Sequence, residues 1–380
     1  MPLIAAGTVV LEQGVCRPGW VQTSGTAIVG CGAGPAPQSA DVDLPGATLV
    51  PGFVDIHAHG GGGASYVHGD ISEIVQAAGF HREHGTTTTL ASLVTAAPAD
   101  LLAAVRRLAA ATREGVIAGI HLEGPWLSAA HCGAHDLAQL RDAAPAEVDA
   151  LLAAADGAIR MVTLAPERPG SDDAITQLVD AGVVVALGHT DATYEQTRHA
   201  IDLGATVGTH LFNAMRPLHH REPGPALALL EDPRVTVELI ADGVHVHPAV
   251  VHATVRAAGA DRVALVTDAT AAAGTDDGEY RLGSVTVDVV DGVARVRGTS
   301  TIAGSTATMD QLFRTAAGLG ADRDAALLAA VQLTSTTPAR ILGLARAGSV
   351  RAGGDANLVV LDDDYQIGVV MTNGEWSSDG

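Results

Sequence analysis

Two histidines one residue apart, His57 and His59, follow a short apolar run and are the clearest candidates for chemistry in the sequence. The run, 53–56, is typical of a β-strand, and side chains two apart on a strand point to the same face. Both imidazoles can therefore bind one metal ion at the end of the strand. Glycines at 60–63 let the chain turn away and leave that pocket open. A pair of this kind also occurs in purely structural settings, so its interpretation depends on what accompanies it.

Four further strand-like apolar runs end in a side chain that could bind a metal or transfer a proton. Helical stretches such as 99–114 and 175–181 lie between the runs. Strand, ligand and helix in repetition are typical of a (β/α)8 barrel, whose catalytic residues lie at the carboxyl ends of different strands. We interpret the histidine pair and these four side chains as one metal site: Glu123, His189, His210 and Asp268.

The elements that must position these residues form two groups along the chain. The segments 1–51 and 345–380 are strand-like, with Gly and Pro turns, and predict a small β-sandwich domain built from both ends. The segment 52–344 predicts the catalytic (β/α)8 TIM-like barrel, so the fold class is α/β. A strand-rich insertion at 280–297 predicts a hairpin over or beside the barrel mouth.

Charge excludes several classes of function. The formal net charge is −21, which would repel nucleic acid and anionic membranes, so an anionic substrate needs local positive groups. All 22 basic residues are arginine. The lack of lysine excludes a lysine Schiff base, a pyridoxal phosphate anchor, a P-loop lysine and a carbamylated lysine between two metals. If the barrel holds metals, the anionic ligand at a strand end must therefore be Glu123.

Composition also predicts a location. No apolar run is long enough to span a membrane, and the first residues have neither a basic lead nor a cleavable apolar core. The three cysteines, Cys16, Cys31 and Cys132, form no ligand spacing, which suits a reducing compartment. We expect a cytoplasmic protein with no membrane partner.

Seven motifs make the chain resemble the N-acetylglucosamine-6-phosphate deacetylases of the amidohydrolase superfamily over essentially its whole length. The resemblance implies the barrel with its terminal domain, a homodimer, and hydrolysis of N-acetylglucosamine 6-phosphate to glucosamine 6-phosphate and acetate in amino-sugar metabolism. Three of the motifs, His-Leu-Glu-Gly-Pro, Thr-His-Leu-Phe-Asn-Ala-Met and Arg-Glu-Pro-Gly, are together specific to the deacetylases. All seven lie at 51–59, 121–127, 187–193, 208–215, 221–224, 241–245 and 266–274.

The resemblance also implies roles for individual residues. One carboxylate and two imidazoles, from Glu123, His189 and His210, would hold a catalytic cation, and His57 with His59 a second one bridged by Glu123. Zn²⁺ is the first choice of ion, with Fe, Mn, Co or Cd as alternatives. Asp268 would act as general base and then acid, and His135 would polarise the acetyl carbonyl. The substrate would contact Ala134, His135, Asn213, Ala214, Arg221, Asp242, His245, Ile302, Ala303 and Gly304.

Several alternatives stay open at this point. Asp268 could orient a metal-binding histidine, a single ion could suffice, and Cys132 near the expected mouth could be reactive or inert. A related amidohydrolase, such as an aminoacylase or dihydroorotase, would keep the metal ligands but would not need Arg221 or His245. A non-catalytic barrel would be expected to have lost part of the ligand set, which is complete here.

Overall fold

The computed structural model describes residues 1–377 and divides into two compact units. One unit comprises Met1–Asp55, Gly79–Thr88 and the chain from Thr308 onward; the other comprises Ile56–Ala78 and Thr89–Ala307. The sequence-based boundaries, 1–51 with 345–380 and 52–344, remain a prediction, and their last three residues lie outside the described part.

The strands are short and are separated by turns or helices. In chain order they are β1 (Leu3–Leu11), β2 (Gly14–Cys16), β3 (Gly19–Ser24), β4 (Ala27–Ala33), β5 (Val42–Pro51), β6 (Phe53–Ala58), β7 (Gly60–Gly61), β8 (Ala64–Ser65), β9 (Thr86–Leu93), β10 (Gly119–Glu123), β11 (Ile159–Leu164), β12 (Val184–Leu187), β13 (Val207–Gly208), β14 (Thr236–Leu239), β15 (Val263–Leu265), β16 (Gly278–Leu282), β17 (Val285–Val290), β18 (Val293–Val296), β19 (Leu358–Leu361), β20 (Ile367–Thr372) and β21 (Glu375–Trp376).

The helices follow most of the barrel strands. They are α1 (Ile71–Glu83), α2 (Pro98–Arg113), α3 (Pro145–Ala155), α4 (Ser171–Asp180), α5 (Tyr194–Asp202), α6 (Gly224–Glu231), α7 (Pro248–Ala258), α8 (Met309–Ala317), α9 (Arg323–Val331) and α10 (Thr337–Ile341). Within the described residues, no helix is both long and apolar enough to cross a membrane.

An eight-stranded sheet in the order β15-β14-β13-β12-β11-β10-β9-β6 confirms the predicted barrel. The strand pairs from β9 to β15 are parallel. A parallel bridge between Ala58 and Ala269 joins the two ends of the sheet, and Asp268 N–H donates to His57 O at 2.8 Å beside it. Because the strands are parallel, their carboxyl ends meet at one rim, where the predicted ligands lie.

Both ends of the chain contribute to a second sheet, which confirms the predicted terminal β domain. Its strand order is β21-β20-β19-β5-β1-β3-β4, with β2 paired to β1. Strand β5 runs parallel to β1 and antiparallel to β19, so the first and last parts of the chain share one hydrogen-bonded ladder. Buried aliphatic side chains from both parts form its core, among them Ile4, Val9, Leu49 and Leu358.

The insertion after Asp268 contains one strand more than predicted. Strands β16, β17 and β18 form a three-stranded antiparallel sheet in place of a single hairpin. The third strand pairs because a tight turn at Asp291 and Gly292, both at positive φ, returns the chain after β17. Leu282, at the end of β16, lines the cavity that the metal-ligand candidates open into.

Candidate active site

The predicted metal ligands converge at the carboxyl ends of the barrel strands. His57 lies on β6, Glu123 ends β10, and His189 and His210 follow β12 and β13 by two residues. The ligand atoms form two sets, each within 4.8 Å: His57, His59 and Glu123, and Glu123, His189 and His210. All five side chains are buried. Side chains from four different strand ends are thus brought to one point.

Glu123 lies between the two sets. Its Oε1 is 3.0 Å from Nε2 of both His189 and His210, and its Oε2 is 3.3 Å from Nε2 of His59. The Nε2 atom of His57 is 3.5 Å from Glu123 Oε1. The carboxylate therefore lies within 3.5 Å of the Nε2 atoms of all four histidines and belongs to both sets.

Three of the four histidines are held in one orientation through Nδ1. His57 Nδ1–H donates to Glu238 Oε2 at 3.2 Å, and His59 Nδ1–H donates to the Ser92 carbonyl at 3.2 Å. His189 Nδ1–H donates to the His131 carbonyl at 2.9 Å. When Nδ1 carries the hydrogen, the lone pair of a neutral imidazole is on Nε2, which is the atom that faces Glu123.

Backbone strain accompanies these positions. His189, His210 and Asp268 all have positive φ, at 48°, 26° and 49°. A residue with a Cβ in this region costs about 1–3 kcal/mol, and such residues gather at functional sites. The turn places each side chain over the rim immediately after its strand.

The donor set fits a divalent cation. Glu123, Asp268 and Glu238 are all buried around the same histidines, and several uncompensated carboxylates would be costly there. The Nδ1 of His210 and the Oε1 of Glu238 are buried and have no hydrogen-bond partner among residues 1–377. Imidazole and carboxylate ligands suit Zn²⁺ and its first-row neighbours.

Asp268 faces the histidine pair. Its Oδ1 is 3.2 Å from His59 Nε2 and 3.5 Å from His57 Nε2. Burial alone would raise the pKa of Asp268, but the charges and hydrogen bonds of these histidines outweigh it and lower the pKa to about 2. The carboxylate is therefore ionised at neutral pH, as a general base must be.

His135 is a neutral donor. The Thr95 N–H donates to His135 Nδ1 at 3.2 Å, so Nδ1 is an acceptor and the ring hydrogen is on Nε2. Nε2 lies 3.3 Å from Glu123 Oε2. Burial is the main cause that lowers the pKa of His135 to about 4, and the neighbouring His189 ring lowers it further. Its Nε2–H can therefore polarise a carbonyl beside the metal ligands.

These side chains open into a cavity of about 410 Å³. Of the predicted substrate residues, seven line it: Ala134, His135, Asn213, Ala214, His245, Ile302 and Gly304. Ala303 is fully buried behind its neighbours, and Asp242 and the exposed Arg221 are outside the lining. A larger groove of about 630 Å³ on the same unit contains none of the predicted site residues.

Asp242 does not line the cavity, but it is hydrogen-bonded to His245, which does. Its Oδ2 accepts from His245 Nδ1–H at 2.7 Å, and its Oδ1 accepts from the His245 N–H at 2.8 Å. Burial alone would lower the pKa of His245, but the hydrogen bond and charge of Asp242 raise it overall. This raised pKa favours the protonated form of His245 at the cavity, which suits an anionic group.

Three contacts around the site were missed by sequence reasoning. Glu238 and Ser92 bind ligand histidines from strands β14 and β9, and Asp191 accepts from both His131 and Arg216. Glu238 offered a signal, because a carboxylate within the apolar run 235–240 is unusual in a buried strand. Ser92 acts through its backbone carbonyl, which no residue type reveals.

The loop that contains Cys132 also lies beside this cavity. Gly133 has φ 56°, and a Cβ there would lie 3.0 Å from His189 Cε1, so the close approach requires glycine. Cys132 itself is not part of the lining, and burial raises the pKa of its thiol.

Comparison with known proteins gives consistent results. The sequence profile described as the amidohydrolase family matches residues 48–377. The N-acetylgalactosamine-6-phosphate deacetylase of Escherichia coli O157:H7 is 37% identical over 87% of this chain and 88% of its own. The N-acetylglucosamine-6-phosphate deacetylase of Vibrio furnissii is 37% identical over 84% of this chain and 80% of its own.

Among solved structures, a mutant of the Mycobacterium smegmatis N-acetyl-D-glucosamine-6-phosphate deacetylase, in complex with N-acetyl-D-glucosamine-6-phosphate, is similar throughout. It is 56% identical, with 99% of this chain and 98% of that chain covered, and the TM-score is 0.97.

Proposed function

The chain belongs to the amidohydrolase family, and from that premise we propose that it hydrolyses the acetamide of N-acetylglucosamine 6-phosphate to glucosamine 6-phosphate and acetate. The observation that carries the proposal is one cavity lined by three side chains that could hold a cation (Glu123, His189 and His210), an ionised carboxylate, a neutral imidazole donor and a histidine whose pKa is raised. The matched deacetylases, one of them in complex with that phosphosugar, support the same substrate and a role in amino-sugar catabolism.

Each residue has a step in the reaction. Glu123, His189 and His210 would hold the catalytic cation, which when bound supplies a Lewis acid and makes water nucleophilic near neutral pH. Asp268 takes the proton of the attacking water and later passes it to the departing sugar amine. His135 donates its Nε2–H to the acetyl oxygen as negative charge develops there.

The finer features of the site are also part of this proposal. Zn²⁺ is the proposed ion, with a second cation at His57 and His59, because Glu123 lies within 3.5 Å of the Nε2 atoms of all four histidines. His245 binds the phosphate, which a protein of net charge −21 must attract locally. Asn213, Ala214 and the 302–304 turn contact the sugar and its acetyl group.

We propose a homodimer in which Arg221 reaches the phosphate of the neighbouring copy. Its side chain is exposed and lies outside the lining of its own cavity, while an arginine fork suits a phosphate. Three free cysteines without metal-ligand spacing support a cytoplasmic location.

One experiment tests the activity. Acetate release is measured from N-acetylglucosamine 6-phosphate and from the unphosphorylated sugar, with enzyme stripped of metal and then reloaded with Zn²⁺. We expect activity that returns with metal and is far weaker without the phosphate. Equal rates on both sugars would refute the phosphate assignment and favour another amide hydrolase of the family. No release from either would refute the deacetylase proposal.

N-acetylgalactosamine 6-phosphate is a second candidate substrate. The observation that favours it is 37% identity to a deacetylase of that phosphosugar over 87% of the chain. The two substrates differ only in the configuration of one hydroxyl, so kcat/KM for each, measured in the same assay, decides between them.

A further inference from the structure

Glu238 is a fully buried carboxylate beside the candidate metal ligands, and no step of the proposed reaction uses it. It lies on β14, between Val237 and Leu239, and its side chain is fully buried. One oxygen, Oε2, makes both of its hydrogen bonds, and the other has no partner among the described residues. A carboxylate buried in this way is costly, so its position calls for a compensating function.

The first bond of Glu238 determines the orientation of His57. Oε2 accepts from His57 Nδ1–H at 3.2 Å, and neither side chain has any exposed surface. The bond leaves the lone pair of His57 on Nε2, which lies 3.3 Å from His59 Nε2. Without this acceptor, the ring could adopt the other tautomer and would lose its ligand atom.

The second bond reaches the other ligand set through the backbone. Oε2 also accepts from the His210 N–H at 3.2 Å, and the His210 φ of 26° is in the strained left-handed region. One oxygen therefore supports both sets, but unequally. It orients the side chain of His57 directly, whereas the side chain of His210 is supported only through its backbone.

We propose that Glu238 is the positioning residue that makes His57 and His59 a second cation site. The proposal rests on the metal-dependent function proposed for the chain. A carboxylate that accepts from a ligand histidine orients the ring and increases its basicity, and loss of such a partner lowers metal affinity about 10- to 100-fold. Only the side chain of His57 is oriented by Glu238. The affinity for the second ion should therefore fall, and the affinity for the first should not change.

The test counts metal ions and does not depend on activity. Full-length protein is stripped with a chelator and equilibrated by dialysis against graded Zn²⁺, and zinc per chain is measured by plasma mass spectrometry. The same proteins are also equilibrated with Co²⁺ in place of Zn²⁺, because the visible absorption of bound Co²⁺ reports the ligand geometry. Glu238→Leu removes the acceptor, and Glu238→Gln keeps its length and an acceptor oxygen but removes the charge.

Val237→Ala is the matched control, because it removes buried volume from the same strand without a bond to any ligand. We expect two ions per chain in the native protein and in this control. In Glu238→Leu the second ion should bind about 10- to 100-fold more weakly while the first is unchanged. In Glu238→Gln the second ion should still bind measurably more weakly, but by no more than about tenfold, because a neutral acceptor makes the weaker bond.

Three results would overturn the proposal. They are an unchanged second-ion affinity in Glu238→Leu, an equal loss of both ions, and a native protein that binds only one ion. If Glu238→Leu does not fold by circular dichroism, an unchanged second ion in Glu238→Gln overturns it. Acetate release is measured separately on the native protein. If the native protein releases no acetate while Glu238→Leu still binds the second ion more weakly, the proposed function is refuted and the role of Glu238 stands.

Discussion

Replacing His135 by alanine is expected to lower kcat for acetate release about 100- to 1000-fold, with a small change in KM. The structure makes this side chain a donor aimed at the metal ligands: Thr95 N–H occupies Nδ1, so the hydrogen is on Nε2, 3.3 Å from Glu123 Oε2. A donor that stabilises a developing oxyanion in a desolvated site contributes about 2.7–4 kcal/mol to the barrier, which corresponds to that range. The side chain is only 3% exposed, so water cannot replace it well.

The protonation state of His135 makes a second, sharper prediction. Its pKa is lowered to about 4, so the ring is neutral across the working range and its N–H is always available. The pH profile of kcat for the native protein should therefore show no rise or fall caused by His135 between about pH 5.5 and 8. His135→Gln, which retains an N–H donor, should recover part of the rate lost in His135→Ala.

The assay is steady-state acetate release from N-acetylglucosamine 6-phosphate, over pH, with zinc content measured for each variant. His199→Ala is a control, since His199 is an exposed histidine paired with Asp172 at the surface. A loss of less than about threefold in His135→Ala would refute the donor role. A native limb near pH 6 to 7 that vanishes in His135→Gln would show that the ring is protonated in the working range, contrary to a neutral ring with its hydrogen on Nε2.

The remaining predictions concern the base, the phosphate site and stability. Asp268→Asn should lower kcat about 100- to 10,000-fold with zinc content unchanged, measured in the same assay with metal analysis. His245→Gln should raise KM for the phosphosugar and leave KM for the unphosphorylated sugar unaltered. Because Asp242 raises the pKa of His245, the native KM should stay low below that raised pKa and increase as pH rises through it. Asp310, whose pKa is lowered by His84 and its other hydrogen-bond donors against the effect of burial, contributes stability that is present above about pH 4 and is lost as pH falls. Asp310→Asn should therefore lower the melting temperature at pH 7 more than at pH 3, measured by calorimetry, and an equal loss at both would contradict the assignment.

Local sequence determined most of the barrel, because the signal for a buried parallel strand lies within the strand itself. An apolar run that ends in His57, Glu123 or Asp268 predicts a buried strand with a polar side chain at its end from the residues of the run alone. The end of each parallel strand also fixes the rim at which its last side chain lies, so the convergence of the candidate ligands could be predicted before any contact was known. The terminal sheet was predictable for the same reason, from strand-like runs at both ends of the chain.

Tertiary structure alone decided how those side chains are held. The positive φ of His189, the carbonyl of Ser92 that orients His59, and the bond from His57 to Glu238 all depend on segments far apart in sequence. The third strand of the insertion likewise depends on a turn that returns the chain onto its neighbour. A sequence specifies periodicity and residue type over a few positions, whereas hydrogen-bond partners between strands are fixed only when the barrel closes. The candidate ligands could therefore be named from the sequence, and their orientation, tautomer and strain were decided by packing.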